Sequence, residues 1–143
     1  MTGSSPARLY AALVGGALVI VGIVGFFYEA SFETGDDLRA DGVLGIFDVN
    51  GWHNLVHIVA GLLGLAAAGY AARTYALAFG LAYVLLAVWG FLEVEDGFGA
   101  LLDVIPVNTE DNFLHLVLGL TGLAAGAATP KERPPPRPAA GDA

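Results

Sequence analysis

Two copies of one polar motif carry most of the side chains that could do chemistry. The pattern Asn-x-x-His-x-x-x-Gly-x-x-Gly occurs at residues 54–64 and again at residues 112–122. Steps of three, four and three residues place its asparagine, histidine and glycines on one face of a helix. Neutral imidazole is a ligand for metals and for haem iron. The motif therefore predicts a place where two helices present histidines to each other.

One turn before each motif histidine stands a second residue that can bind a metal. His53 precedes His57, and Asp111 precedes His115. Three imidazoles and one carboxylate are a ligand set that suits Zn²⁺ or Cu²⁺. The predicted metal site consists of His53, His57, Asp111 and His115. Asn50 and Asn108 are predicted to cap the two helices, since asparagine is a preferred N-cap residue.

Two other hypotheses account for the same residues. In the first, His57 and His115 bind the two axial positions of a haem b, and Gly61 and Gly119 leave room for the macrocycle. In the second, no cofactor is bound, and Asn54, Asn112 and the histidines form a structural polar core. Asparagine and histidine hydrogen-bond across membrane helices, and glycine lets helices approach closely. On sequence alone we prefer this second hypothesis, a non-enzymatic structural or partner-interaction module.

The elements that must position these residues are membrane helices. The chain has 143 residues, of which 56% are apolar and 14% are charged, whereas soluble domains carry about 25% charged residues. A span needs roughly 20 apolar residues, and only helices satisfy their own backbone in lipid. Four spans are predicted at residues 9–28, 52–72, 75–92 and 113–128, the last extended back to Asn108. The predicted fold class is an all-α integral membrane protein with four transmembrane helices.

The charged residues predict the orientation and exclude several functions. Five of the six basic residues lie on one side of the spans, and the connections 29–50 and 93–111 contain twelve acidic residues. The positive-inside rule then places both termini in the cytoplasm, which predicts a multi-pass protein of the bacterial cytoplasmic membrane. A net charge of −8 argues against a nucleic-acid partner. The absence of cysteine excludes disulfides and thiolate metal sites.

The two halves of the chain are similar beyond the motif. A shift of 65 residues aligns the first span with the third, and a shift of 58 aligns the second with the fourth. We therefore predict two tandem hairpins related by a pseudo-two-fold axis along the membrane normal, with the second and fourth spans diagonal in the bundle. The predicted regions are a cytoplasmic N-terminus (1–8), a transmembrane domain (9–128, with repeats at about 8–72 and 73–128) and a disordered Pro-rich cytoplasmic tail (129–143).

Two further features lead to packing predictions. Each outer connection contains a short apolar run, at residues 43–47 and 101–105. These runs are too short to span a membrane, so they are predicted to lie in the headgroup region rather than to cover the end of the bundle. The motif glycines, Gly61 and Gly119, are predicted to line a close contact between the second and fourth spans.

Residues 8–128 resemble the small bacterial membrane proteins grouped as a four-helix domain of unknown function. The resemblance rests on the two copies of Asn-x-x-His-x-x-x-Gly in the second and fourth spans. It implies a four-helix membrane fold and no particular activity, and it directs attention to Asn54, His57, Gly61, Asn112, His115 and Gly119. A small transporter protomer is the remaining alternative. Expected partners are the lipid bilayer and either further copies of the chain or another membrane protein.

Overall fold

The computed structural model describes residues 4–131 and contains four helices. They are α1 (Pro6–Gly25), α2 (Gly51–Ala67), α3 (Ala72–Glu93) and α4 (Thr109–Ala128). α4 begins directly after Asn108, as predicted, whereas α2 ends five residues before the predicted span does. Residues 1–3 of the predicted cytoplasmic N-terminus and residues 132–143 of the predicted tail lie outside the described residues.

Two of the four helices, α1 and α3, are long and apolar enough to cross a membrane. α2 has 17 residues, which corresponds to about 25 Å at 1.5 Å per residue. Only a third of the most apolar window of α1, and the same share in α3, is buried inside the protein. Large side chains such as Leu13 and Leu85 consequently face outward, and an apolar outer surface of this kind is compatible with lipid.

The helices pair within each half of the chain, and glycines form both contacts. α1 packs along α2, and α3 packs along α4. Gly61 lies against the backbone of Gly15 in α1, and Gly119 lies against the backbone of Gly80 in α3. The prediction that Gly61 and Gly119 line a contact between the second and fourth spans is therefore wrong. α1 contacts α3 directly, whereas α2 and α4 have little backbone contact with each other.

The connection between α1 and α2 and the connection between α3 and α4 each fold into a short antiparallel β-hairpin. The first hairpin pairs β1 (Asp41–Val43) with β2 (Phe47–Val49), and the second pairs β3 (Gly99–Leu101) with β4 (Ile105–Val107). Both turns contain two consecutive residues with positive φ, Leu44 and Gly45 in the first and Leu102 and Asp103 in the second. This is the backbone conformation of a type I′ hairpin turn.

The two hairpins cover one end of the helical bundle. β2 contacts β4, and Val49 and Val107 on these strands are almost completely buried. Removing these two apolar side chains from water stabilises the position of the β-hairpins on the helical bundle. Within the apolar runs, Val43 and Leu101 are buried, whereas Leu44, Ile46 and Leu102 are exposed. The runs therefore help to cover the end of the bundle, contrary to the prediction, and their position in the headgroup region stays a prediction.

Candidate functional site

The N-terminal ends of α2 and α4 are fixed by Asn50 and Asn108. The Oδ1 atom of each accepts the backbone N–H three residues later, at 2.9 and 2.8 Å, so the predicted N-caps are confirmed. The Nδ2 group of Asn50 donates to the Val104 carbonyl at 2.8 Å, and that of Asn108 donates to the Ile46 carbonyl at 2.7 Å. Each capping side chain therefore also ties its helix to the hairpin of the other half.

Three histidines meet directly beneath the hairpins. His53, His57 and His115 are all buried, and one ring nitrogen from each lies within 4.8 Å of the others. The ring centroid of His53 is 4.4 Å from that of His57 and 5.9 Å from that of His115. Within residues 4–131 this is the one group of three potential metal ligands that converges so closely. We refer to these three residues as the histidine cluster.

Asp111 lies beside the histidine cluster but is not one of the converging ligands. Its Oδ2 atom accepts the backbone N–H of Asp48 at 3.0 Å and that of Asn108 at 3.2 Å. The second of these bonds completes a capping box at the start of α4. The structure thus brings together three of the four residues of the predicted metal site, while the fourth is used in capping.

The three imidazoles differ in their hydrogen bonds. Nδ1 of His53 lies 3.0 Å from the Asp48 carbonyl oxygen, and the Pro106 carbonyl also lies beside this ring. In contrast, Nδ1 of His57 and Nδ1 of His115 are buried and have no partner among the described residues. Buried polar atoms nearly always have a partner, and leaving one unpaired costs about 1–3 kcal/mol. A bound ligand would account for both unpaired nitrogens.

Asn54 and Asn112, the predicted polar core, each face the other helix of their own half. Both are fully buried, and their side chains fit against Gly25 and Gly90, where any larger residue would collide with them. Asn54 donates to the Glu29 carbonyl at 2.9 Å, whereas the Asn112 amide has no partner among the described residues. The two asparagines therefore lie where α1 packs on α2 and where α3 packs on α4, rather than between the second and fourth spans.

The predicted haem site does not fit the positions of its glycines. The space beside Gly61 and Gly119, in which the macrocycle was expected, is filled by the backbone of α1 and α3. His57 and His115 have ring centroids 6.2 Å apart, with His53 packed against both rings. A macrocycle between the two proposed axial ligands would need the space that His53 occupies, so the proposed role of Gly61 and Gly119 in haem binding is corrected.

An apolar cavity of about 480 Å³ lies beside the histidine cluster, between α1, α4 and the first hairpin. His57, His115 and Asp111 are the polar residues of its lining, and the other lining residues, which include Val14 and Leu18, are aliphatic or aromatic. Sequence reasoning missed this cavity. The signal was present in the repeat alignment, where a shift of 65 residues pairs Val14 with Phe79 and Leu18 with Tyr83.

In the second half, the equivalent positions are filled by aromatic rings. Phe79 and Tyr83 stack with their ring centroids 3.9 Å apart, and the Tyr83 ring lies 5.1 Å from the His115 ring in an edge-on arrangement. Both aromatic residues are buried. The cavity in the first half therefore corresponds to a position that large side chains occupy in the second.

The carboxyl group of Asp48 adds to the electrostatics at this end of the bundle. Asp48 lies in β2, and its backbone contacts both His53 and Asp111. Burial raises the pKa of its carboxyl group, and a hydrogen bond with the Asn108 side chain opposes that shift. Asp48 thus contacts the histidine cluster through its backbone carbonyl, while its carboxyl group lies beside the Asn108 side chain.

Comparison with known proteins gives a family and no function. The sequence profile of a family described as a domain of unknown function (DUF4383) matches residues 8–128, which include both copies of the histidine motif. The searches of the curated proteins and of the solved structures gave no match. Since the profile covers most of the chain, the chain belongs to the DUF4383 family. The predicted resemblance to a domain of unknown function is thereby confirmed, while the motif as its signature and the bacterial origin stay predictions.

Proposed function

We propose that this protein is a four-helix integral membrane protein whose histidine cluster binds a transition-metal ion such as Zn²⁺. One observation carries the proposal: three buried imidazoles from two helices place their ligand nitrogens within 4.8 Å of one another. Three histidines are a known ligand set for zinc, and they leave a fourth coordination position open.

The geometry needs only small adjustments to bind an ion. In a tetrahedral zinc site, ligand nitrogens lie about 3.3 Å apart, so modest rotations of the three rings would close the cluster. The Asp48 carbonyl accepts from Nδ1 of His53, which leaves Nε2 of this ring as the ligand atom. A carbonyl behind a ligating histidine is the usual second partner that fixes its orientation.

The surrounding charge also suits a cation. A bound ion places positive charge in a buried site, and nearby carboxylates offset the cost of burying it. Asp111 lines the cavity together with His57 and His115, and Asp48 contacts both Asp111 and His53 through its backbone. The cluster therefore has acidic neighbours without being coordinated by them.

A purely structural core accounts for fewer of these contacts. Asn50, Asn108 and Asn54 make hydrogen bonds that hold helices or hairpins together. The Nδ1 atoms of His57 and His115 make none within the described residues, although polar residues that join membrane helices act through such bonds. Metal binding gives these two imidazoles a role. The transporter hypothesis stays a prediction.

The membrane part of the proposal includes the four spans and the pseudo-two-fold arrangement. It is supported by the apolar outer surfaces of α1 and α3 and by contacts that are matched between the halves. The Tyr10 hydroxyl donates to the Leu118 carbonyl at 2.7 Å, and the Tyr75 hydroxyl donates to the Ala60 carbonyl at 3.0 Å. The location is the bacterial cytoplasmic membrane, with both termini in the cytoplasm, as the basic residues predict.

Metal titration of the detergent-purified full chain tests the site. We expect one equivalent of Zn²⁺ to bind, and Co²⁺ to give the absorption of a tetrahedral ion in its place. His57→Ala and His115→Ala should each lose most of the bound metal, and the double variant should be little worse, because ligands of one ion act together. Tyr75→Phe removes one partly buried hydrogen bond and leaves the cluster intact, so it is the matched control.

Two results would contradict the metal proposal. The first is a metal-free wild type after titration and after expression with added metal. The second is wild-type metal content in both histidine variants. Helical content by circular dichroism and the elution volume of each variant show whether a loss of metal follows from loss of fold.

Cysteine labelling tests the four spans and their direction. An impermeant thiol reagent on intact cells should label single cysteines at Asp37 and Asp96, and it should fail to label one at Tyr70, in the turn between α2 and α3. Gly3 and Gly141, which the sequence predicts to be cytoplasmic, lie outside the described residues. Labelling at Tyr70 combined with protection at Asp37 would reverse the proposed topology.

A further inference from the structure

We infer that the cavity between α1 and α4 binds a neutral, lipid-soluble molecule with an apolar body and one oxygen head group, a hydroxyl or carbonyl, placed at His57 and His115. The inference rests on the proposed function in one respect, since the head group would lie at the open side of the bound ion. Its physical basis is the shape and lining of the cavity.

The size and polarity of the cavity match a small amphiphile. Its volume of about 480 Å³ falls within the range of about 300–1,000 Å³ that is usual for small-molecule sites. Aliphatic residues such as Val14, Leu18 and Leu118 line the body, and polar groups occur at one end only. At that end, His57 and His115 line the wall and are 7% and 6% exposed.

The position of Asp111 selects an uncharged head group. Asp111 lines the same end of the cavity as the two histidines, so an anionic head would lie beside another acidic residue and be poorly solvated there. A cationic head would compete with the metal ion for the same site. A neutral hydroxyl or carbonyl meets neither obstacle, and it can accept a hydrogen bond from an imidazole or coordinate the ion.

The cavity is accessible from the side of the bundle rather than from its end. The first hairpin covers the end, where Val43 and Phe47 line the cavity. Leu13 and Val21 line it from α1 and are 64% and 41% exposed on the outer surface. In the proposed topology this surface faces lipid, so the ligand is one that partitions into the bilayer.

The second half of the molecule shows that the space is not required by the fold. Phe79 and Tyr83 occupy the positions equivalent to Val14 and Leu18 and stack tightly there, while the contacts between the halves are otherwise matched. The cavity is therefore produced by two smaller side chains in a frame that accepts larger ones. This difference also supplies the variant that tests the inference.

Photo-crosslinking of the zinc-loaded full chain in lipid nanodiscs tests the ligand class. The probe is a long-chain alcohol with a diazirine on its chain, compared with the carboxylate of the same length. We expect the alcohol to label the cavity walls in α1 and α4, and the carboxylate to label them about tenfold less, a difference of about 1.4 kcal/mol. A phospholipid with a diazirine-bearing acyl chain is the comparison for ordinary lipid contact.

The cavity variants decide whether labelling reports this site. Val14→Phe with Leu18→Tyr copies the second half and should reduce alcohol labelling about tenfold while zinc content stays at the wild-type level. Ala17→Phe, also on the cavity wall, is the second variant if the first fails to fold. Ile20→Phe, on the exposed outer face of α1, is the matched control and should label like the wild type.

Each outcome separates the inference from the proposed function. Labelling that is unchanged in both cavity variants, or equal labelling by the alcohol, the carboxylate and the phospholipid, would overturn the inference while leaving metal binding intact. Labelling that depends on the cavity in a protein that binds no zinc would support the inference and overturn the metal proposal.

Discussion

The first half of the chain (residues 8–72) and the second half (73–128) make the same contacts with each other but differ at the histidine cluster. Tyr10 and Tyr75 each donate to the backbone of a helix in the opposite half. Asn50 and Asn108 each donate to the hairpin of the opposite half. These four bonds tie the halves together in matched pairs.

The differences are concentrated under the hairpins. His53 in the first half aligns with Asp111 in the second. His53 contributes the third imidazole of the cluster, whereas Asp111 caps α4. Val14 and Leu18 likewise replace two aromatic residues. Positions that join the halves thus keep their residue type, whereas positions facing the interior of this end have diverged. The result is one asymmetric site rather than two equivalent ones.

The largest loss of stability is expected from substitutions at Gly61 and Gly119, and it should be equal in the two halves. A Cβ atom at Gly61 would come within 2.5 Å of the Gly15 carbonyl oxygen, and one at Gly119 within 2.7 Å of the Val84 nitrogen. Gly61→Leu and Gly119→Leu should therefore each lower the free energy of unfolding by about 3 kcal/mol or more, measured by thermal unfolding in detergent. Gly16→Leu is the control, because nothing lies within 4 Å of its added Cβ. Equal melting temperatures for all three variants would contradict the close helix contact.

The next effect should differ between the halves. Phe79 is buried and its ring packs against Tyr10, Tyr75 and Tyr83. Phe79→Ala should therefore cost about 3 kcal/mol. Val14→Ala, at the equivalent position beside the existing cavity, should cost less than about 1 kcal/mol. Similar losses of stability in the two variants would show that the first half is packed as tightly as the second.

A smaller effect, again equal, is expected at the two capping asparagines. Asn50→Ala and Asn108→Ala each remove an N-cap and a bond to the opposite hairpin, and should cost about 1–2 kcal/mol. Asn50→Ser and Asn108→Ser keep a capping oxygen and lose the Nδ2 donor without adding a charge, which separates the two contributions. Urea unfolding in detergent measures both. A loss of stability in only one of the two alanine variants would contradict the matched role of the two asparagines.

The smallest effect is expected at the tyrosines that join the halves. Tyr10→Phe and Tyr75→Phe each remove one hydroxyl that donates to a helix carbonyl. Each variant should lose about 0.6 kcal/mol, the average for such bonds in a membrane protein, in the same unfolding assay. The double variant should lose the sum, because the two bonds share no partner. A loss of more than about 2 kcal/mol in one variant alone would mean that the halves are held together unequally.

The sequence predicted the helices and their starting points because those signals are local. Asn50 and Asn108 satisfy backbone groups within three residues of themselves, so capping could be predicted without knowledge of packing. The spacing of the motif also placed its polar residues on one face of each helix. The structure brings His57 and His115 together as that spacing suggested, with His53 beside them.

The remaining features depend on which elements become neighbours, and residue spacing does not contain that information. Glycines at steps of three and four residues indicate a close helix contact, but not that Gly61 meets α1 instead of α4. The strands have only three residues each, too few to establish an alternating pattern. The cavity depends on the fit of Val14 and Leu18 against a helix more than 90 residues away in sequence.

Arg8 and Arg73 lie at the end of the bundle opposite the β-hairpins, and in the proposed topology they act both during membrane insertion and in the folded protein. Arg8 donates to the Ala68 and Gly69 carbonyls after α2, and Arg73 donates to the Thr129 carbonyl after α4. In the proposed topology, each arginine is made before the helix whose end it binds, and its charge holds the preceding segment on the cytoplasmic side during insertion. When the second helix of the pair (α2 or α4) returns to that side, the same guanidinium binds the free carbonyls at its end. In each half, one arginine side chain thus first sets the orientation of the helix pair and then closes that pair.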